Sequence, residues 1–511
     1  MTSPTPDASQ DAPAPAATSA ALAAAAARAA APALAALPLP TRASLLRGLA
    51  RTLGENAAHL AAVAEDETRL GVERLRSEIR RTQGQLEMFA GIVEAGEFLD
   101  VMIDLPDPTA QPAPRPDIRR MLVPLGPVAV FSASNFPFAF SVLGGDTASA
   151  LAAGCPVVVK AHEGHPRLSD LTAELAAGVV PGGVLTVVHG RETGRNLVSD
   201  PAVRAVGFTG STSGGRSLFD LANSRPDPIP FYGELGSLNP VVVTPAATAA
   251  RGADIVREYI GSATLGQGQF CTKPGLLFLP ASHGLEDDLR RVIGAVGPAP
   301  LLGPWISTAY RATLEELTGH PAVRSLHRAE EPDDPRAGTP ALLTTTAEDI
   351  RACPELLREC FGPASLVVTY TSAEDLLETL RLLPGGLTAT IQGQEHEDET
   401  LFHRLSAALH VGRLIWNGWP TGVAVTAAMH HGGPWPSTTS PLHTSVGSRA
   451  VARWMRPVAY QNMPESLLPA PLRRANPWNV PQRVSGSWPA PEGHRRFSSP
   501  AAEALSPPSH R

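Results

Sequence analysis

Cysteine is scarce: the 511 residues hold four, Cys155, Cys271, Cys353 and Cys360. None stands in a CxxC pair, and so few in so long a chain exclude a disulfide scaffold. A reducing compartment suits them, and the cytoplasm is the expected location. Aromatic residues make up only 5%, a compositional bias that accompanies heavy use of Ala, Pro and Gly. An excess of one charge is also missing. The 42 Lys+Arg and 49 Asp+Glu leave a net charge of -7, with no long basic run, so neither nucleic acid nor an anionic membrane is an expected partner. No segment looks fit to span a membrane. The Ala-rich run 20–31 contains Arg28, stops at Pro32 and falls short of the roughly 20 residues needed; it is expected to be a helix. Residues 1–17 carry Asp7 and Asp11 but no basic stretch, which argues against a secretory signal. No HExxH occurs, and His162, His165, His430 and His431 lack ligand spacing, since adjacent residues point apart. No metal is expected. The absence of GxSxG disfavours one class of serine hydrolase, and the usual GxGxxG dinucleotide fingerprint is also absent.

What is present is strand–helix alternation. Residues 1–18 are Pro/Ala/Ser/Asp-rich and expected to be disordered. Residues 19–98 show helical periodicity, for example Leu70, Val72, Leu75 and Ile79, and 104–117 form a Pro-rich linker. Short apolar runs follow: 126–131, 156–160, 184–189 and 203–208, with helices between them. A second series has strands at 240–243, 276–280 and 365–370, and helices near 248–265, 284–295 and 373–382. Apolar runs of this length, bounded by Gly and Pro, fit strands buried on both faces of a doubly wound parallel α/β sheet. Residues 297–350 carry few motifs and are expected to be a surface excursion. The tail 488–511 is Pro/Ser/Arg-rich and also expected to be disordered.

Several residues are chemically suggestive, although each has an ordinary structural reading. Cys271 follows Gly266 and Gly268, which allow the sharp turn that would expose a nucleophilic thiol; most cysteines are simply small buried hydrophobes. Glu234, between glycines in FYGELGSLNP, has the chemistry of a general base or of a solvated loop charge. Asn135 follows a strand, where an amide can stabilise an oxyanion or merely make a turn. Gly210 and Ser211, in FTGSTSGG, stand at a strand–helix junction suited to a phosphate. Lys160 and Glu163 could meet ribose hydroxyls or a 2′-phosphate, or be a surface ion pair. Glu359, in ECFGP, could grip a nicotinamide ribose, or be a helix-end or turn charge.

The order of these motifs is more specific than any one of them. SNFP, VVVK, GFTGS, ELGSLNP, GQFC and ECFGP, spread over roughly residues 40–486, resemble the aldehyde dehydrogenase superfamily. Within it, RRTQGQLEMFA, FCTKPG, GRLIWNGWPTGVAV, HHGGPWPST and RPVAYQNMPESLLP are similar to the α-ketoglutaric semialdehyde (2,5-dioxopentanoate) dehydrogenases and related NADP-linked enzymes. The resemblance implies two Rossmann-like α/β domains plus a small β oligomerisation arm. A cofactor-binding domain at 19–235 and a catalytic domain at 236–440 are expected, with the arm drawn from 112–127 and 441–487 in a homodimer or homotetramer. It implies an aldehyde substrate, NAD or NADP as cofactor, Cys271 as nucleophile, Glu234 as base and Asn135 as oxyanion donor. Lys160, Glu163, Gly210, Ser211, Gly236, Glu359 and Phe361 match cofactor-contacting positions.

One departure stands out. Glu163 is the residue type found at this position in NAD-preferring members, whereas NADP-linked relatives tend to carry a small or neutral residue. A carboxylate near a 2′-phosphate is repulsive, so NAD should serve at least as well as NADP. For an ω-carboxylated aldehyde, Arg80, Arg81 and Gln85 on one helix are leads. The alternatives are a CoA-acylating semialdehyde dehydrogenase, which Glu234 argues against, and a catalytically silent binding protein on the same fold.

Overall fold

The computed structural model describes residues 19–486 except 331, 332 and 397. The segments 1–18 and 488–511, expected to be disordered, lie outside the described residues. The described residues form two compact units: those up to Glu94 with Pro124–Arg456, and Ala95–Val123 with those from Pro457.

The larger unit holds two large sheets and a two-stranded one that pairs Ala299–Pro300 with Ala337–Gly338. The first is wholly parallel, in the order Leu185–Val188, Val157–Lys160, Val128–Phe131, Ala205–Thr209, Phe231–Glu234. Its central strands are buried at every position, which explains their unbroken valines: both faces meet helices, and β-branched side chains fit a pleated surface. Each fully buried Val contributes about 1.5–3 kcal/mol of transfer free energy. The second sheet has seven strands, ordered Arg324–Arg328, Ala341–Thr346, Ala364–Tyr370, Leu276–Pro280, Val241–Val243, Gly386–Gln392, Val411–Trp416. Only the Arg324–Arg328 edge runs antiparallel.

Two expectations need correction. Residues 297–350 are no surface excursion. Helix Pro304–Thr318 buries Ile306, Tyr310 and Leu314, and strand Ala341–Thr346 lies inside the sheet with its first five residues buried. Three threonines disguise that strand in sequence, although their hydroxyls are easily satisfied beside a β-ladder. The Ala-rich helix does not stop at Pro32 but runs Ala20–Ala36, forgoing one ladder hydrogen bond there. Among the described residues no helix is long and apolar enough to cross a membrane.

The smaller unit is built on a four-stranded sheet in the order Met455–Gln461, Ile118–Pro124, Val101–Asp104, Gln482–Val484. Its buried Arg119 pairs with Asp117 at 2.9 Å and Glu465 at 2.7 Å.

Candidate active site

The strands of the first sheet end around a cavity of about 800 Å³. The ten residues matched in the sequence to catalysis and cofactor binding line it: Asn135, Lys160, Glu163, Gly210, Ser211, Glu234, Gly236, Cys271, Glu359 and Phe361. Strand geometry explains the convergence. Lys160 and Glu234 are the last residues of their strands, and Asn135 and Ser211 lie just beyond two others. A parallel sheet brings all its carboxyl ends to one edge.

Ser211 caps helix Thr212–Asn223, its Oγ accepting from Gly214 N at 3.2 Å, so the helix's positive end faces the cavity. A Cβ on Gly236 would sit 2.3 Å from Glu359 Oε2, so a side chain there would push that carboxylate aside. Lys160 Nζ lies 2.5 Å from Glu163 Oε1. Burial opposes ionisation of Glu163, but the bond and charge of Lys160, a backbone bond and His162 together outweigh it and hold the carboxyl below the usual range. Burial pushes Glu359 up to about 7, with Lys273 and a Ser237 backbone bond opposing.

Cys271 stands on a loop that few sequences could adopt. Gly266, Gln267 and Gly268 have φ of 55°, 58° and 66°, and a Cβ on Gly268 would meet Gly362 O at 2.1 Å. Asn239 secures the loop, its Nδ2 donating to Cys271 O at 2.8 Å and Lys273 O at 2.9 Å. Lys273 is buried and gives its ammonium protons to the carbonyls of Cys360, Gly362 and Ala364. This joins the thiol-bearing segment to the one carrying Glu359 and Phe361.

Beside the thiol lies a residue that sequence reasoning set aside. His431 Nε2 is 3.5 Å from Cys271 Sγ and 2.8 Å from Glu234 Oε1. Ser445 Oγ donates to Glu234 Oε2 at 2.7 Å. Oε1 itself has no aligned hydrogen bond, so its contact with His431 is one of proximity. Burial would raise the Glu234 carboxyl, but His431 and the bonds from Ser445 and Cys271 bring it below the ordinary value. The Cys271 thiol is driven well upward, first by burial and then by Glu234 and Glu359. Such a thiol ionises only as a base draws off its proton. Asn135 Nδ2 donates to Gln269 O at 2.9 Å, leaving its second amide hydrogen for another acceptor.

The family follows from this arrangement and from comparison. The model of the aldehyde dehydrogenase family matches residues 4–456. The chain belongs to the aldehyde dehydrogenase family. It is an NAD(P)-dependent oxidoreductase acting on aldehydes. It is 46% identical over 465 residues to alpha-ketoglutaric semialdehyde dehydrogenase 2 of Azospirillum brasilense, covering 88% of each chain. It is 39% identical to the alpha-ketoglutaric semialdehyde dehydrogenase of Acinetobacter baylyi, covering 87% of this chain and 86% of that one. An aldehyde dehydrogenase variant of Pseudomonas syringae, solved with NAD⁺ and octanal, shares the fold with a TM-score of 0.74 at 19% identity, over 87% of this chain and 90% of that one.

Sequence reasoning missed His431, Ser445, Asn239 and Lys273, and also Arg191 and Arg195, which line the cavity. HHGGPWPST and ELGSLNP contain His431 and Asn239, but nothing local marks their partners, which lie 32 to 197 positions away. Of the substrate-side leads, Arg80 is exposed and Gln85 is buried. Only Arg81 senses the charges of Cys271 and Glu234.

Proposed function

We propose that this enzyme oxidises an ω-carboxylated semialdehyde, with 2,5-dioxopentanoate (α-ketoglutaric semialdehyde) as the first candidate, to the corresponding acid. The observation that carries the chemistry is the convergence of Cys271 and Glu234, both at the cavity wall, with His431, their side-chain ligand atoms lying within 4.8 Å of one another. The names of the two relatives support the substrate. A metal ion could bridge such a trio by distance, but nucleophile, base and neighbouring imidazole already give each group a task, and no metal is assigned.

The residues present fit a dinucleotide. Gly236 leaves room beside Glu359, Ser211 and Gly210 offer a helix N-terminus, and Lys160 with Glu163 suits ribose hydroxyls. Bound there, NAD or NADP supplies the hydride acceptor. Glu359 and Phe361, which line the cavity with Cys271, would hold its nicotinamide end. Cys271 loses its proton to Glu234 or His431, which passes it to solvent, and its sulfur adds to the aldehyde carbon. The free Asn135 amide hydrogen and the Cys271 N–H face the developing oxyanion, an effect worth about 3 kcal/mol per donor. Oxidation leaves a thioester on Sγ. Glu234, held ionised by His431 and Ser445, then takes a proton from water, which attacks the thioester and frees the thiol.

The Glu163 carboxylate supports use of NAD at least as good as that of NADP. A preference for NADP in kcat/KM of more than about 100-fold, roughly 2.7 kcal/mol, contradicts it. The same reading assigns 19–235 to cofactor binding, 236–440 to catalysis and the small sheet to assembly of a cytoplasmic homodimer or homotetramer.

The test is quench-flow with mass spectrometry of Glu234→Gln supplied with 2,5-dioxopentanoate and NAD. An acyl group should accumulate on Cys271 after one turnover of reduced cofactor, with steady-state rate down about 10²–10⁴-fold. Acylation elsewhere, or full steady-state activity, removes the assigned roles. Wild-type release of acyl-CoA when CoA is added would favour the CoA-acylating alternative.

A further inference from the structure

We propose that Arg81 and Arg413 form the subsite that receives the distal carboxylate of the aldehyde substrate. This rests on the carboxylated-semialdehyde reading and names the residues that would enforce it.

The two arginines are 332 positions apart, on helix Val72–Ala95 and strand Val411–Trp416, yet they grip the same turn of chain. Arg413 Nη2 donates to Pro420 O at 2.7 Å and to Gly422 O at 3.2 Å. Arg81 Nη1 donates to the neighbouring Val423 O. That turn is fastened to the nucleophile's own segment: Gly422 N donates to Thr272 Oγ1 at 3.2 Å, one residue past Cys271. Both guanidiniums are close enough to feel a charge on the Cys271 sulfur.

Neither charge has a direct ion-pair partner among the described residues, although Glu78 and Glu234 act on Arg81 from a distance. Among the described residues, no carboxylate lies within ion-pair distance of either guanidinium, and their hydrogen bonds run only to backbone carbonyls. The nearest acid in sequence, Glu78, spends Oε1 on the backbone N–H groups of Phe138 and Ala139 and acts on Arg81 only through space. The Nε of each arginine is buried with no partner. Burial lowers the proton affinity of both, the mark of cations held away from water without full compensation. If fastening the turn were their whole task, neutral donors would serve at less desolvation cost. Two partly buried guanidiniums with unspent donors beside a reacting sulfur make a receptor for a planar anion, which guanidinium forks bind in a directional, charge-assisted way. A short-chain aldehyde carrying a carboxylate a few carbons from its carbonyl has the charge and the reach. An uncharged aldehyde would leave both cations uncompensated.

The experiment uses the full-length enzyme and three substrates: 2,5-dioxopentanoate, succinic semialdehyde and pentanal. The quantity compared is kcat/KM for each acid divided by that for pentanal. In Arg413→Met and Arg81→Met this ratio should fall about 30-fold or more, mainly through KM for the acids, and Arg413→Lys should restore part of it. Equal losses on acids and pentanal would mean that the arginines only hold the turn, and the subsite would be refuted. A wild-type enzyme that prefers pentanal would refute the carboxylated-substrate reading and the subsite together. A wild-type preference for acids that survives both substitutions would refute the subsite alone. The rate of Cys271 alkylation against pH is followed in parallel, because arginines that serve only to stabilise the thiolate would shift this profile and leave the ratio unchanged.

Discussion

Replacing Glu163 by Gln should redirect the enzyme toward NADP. Its carboxylate lies 2.5 Å from Lys160 Nζ, and its side chain is 45% exposed. Two unit charges about 5 Å apart interact by about 3 kcal/mol at an effective dielectric constant of 20. The near-half exposure of Glu163 and the countercharge of Lys160 reduce its repulsion of a 2′-phosphate to about 1–1.5 kcal/mol. The neutral amide would remove that repulsion, free Lys160 to face the phosphate and weaken the acceptor for NAD's ribose hydroxyls. Arg191 and Arg195 line the same cavity and would add to the attraction. The ratio of kcat/KM for NADP to that for NAD should therefore rise about 10-fold. The assay is initial rate by absorbance of the reduced nicotinamide at saturating aldehyde, at low and high salt. The gain should shrink as salt rises, since the groups involved are partly solvated. An unchanged ratio, or a gain equal for both cofactors, would refute the electrostatic account.

Two further outcomes follow from the buried charges. Glu234 ionises more readily than its burial alone would allow because of His431. In His431→Gln the carboxyl pKa should rise, so the basic form is lost at a higher pH and the acid limb of the kcat profile moves upward; an unmoved limb would separate His431 from the base. The Arg453–Asp146 pair, at 2.7 Å with side chains only 3% and 9% exposed, is also vulnerable. Asp146→Ala should cost about 3–5 kcal/mol by stranding a buried cation, seen in calorimetry as a melting point lowered by several degrees; no measurable drop would mean that Arg453's other contacts hold it.

The first parallel sheet was legible from the sequence because its central strands are buried on both faces, leaving uninterrupted apolar runs bounded by Gly and Pro. The ten site residues were legible because their motifs stand at strand ends and turns, where backbone geometry restricts the side chains. Strand Ala341–Thr346 was not, since its threonines look solvent-facing until a sheet surrounds them. Helix Ala20–Ala36 ran past Pro32, which local propensity places at its end, because packing outweighs one lost bond: Ala23, Ala24 and Ala27 are fully buried and Leu34, beyond the proline, is 3% exposed.

By itself, then, the sequence determined the strand–helix alternation and the identity of a thiol, a carboxylate and an amide suited to aldehyde chemistry. Tertiary structure alone decided that His431 and Ser445 would stand against Glu234, that Lys273 would join two loops, and that Arg81 and Arg413 would meet over one turn. Hydrophobic periodicity and turn chemistry act over a few residues and can be read along the chain. Charge compensation acts over a few ångströms, and only folding determines which residues come that close.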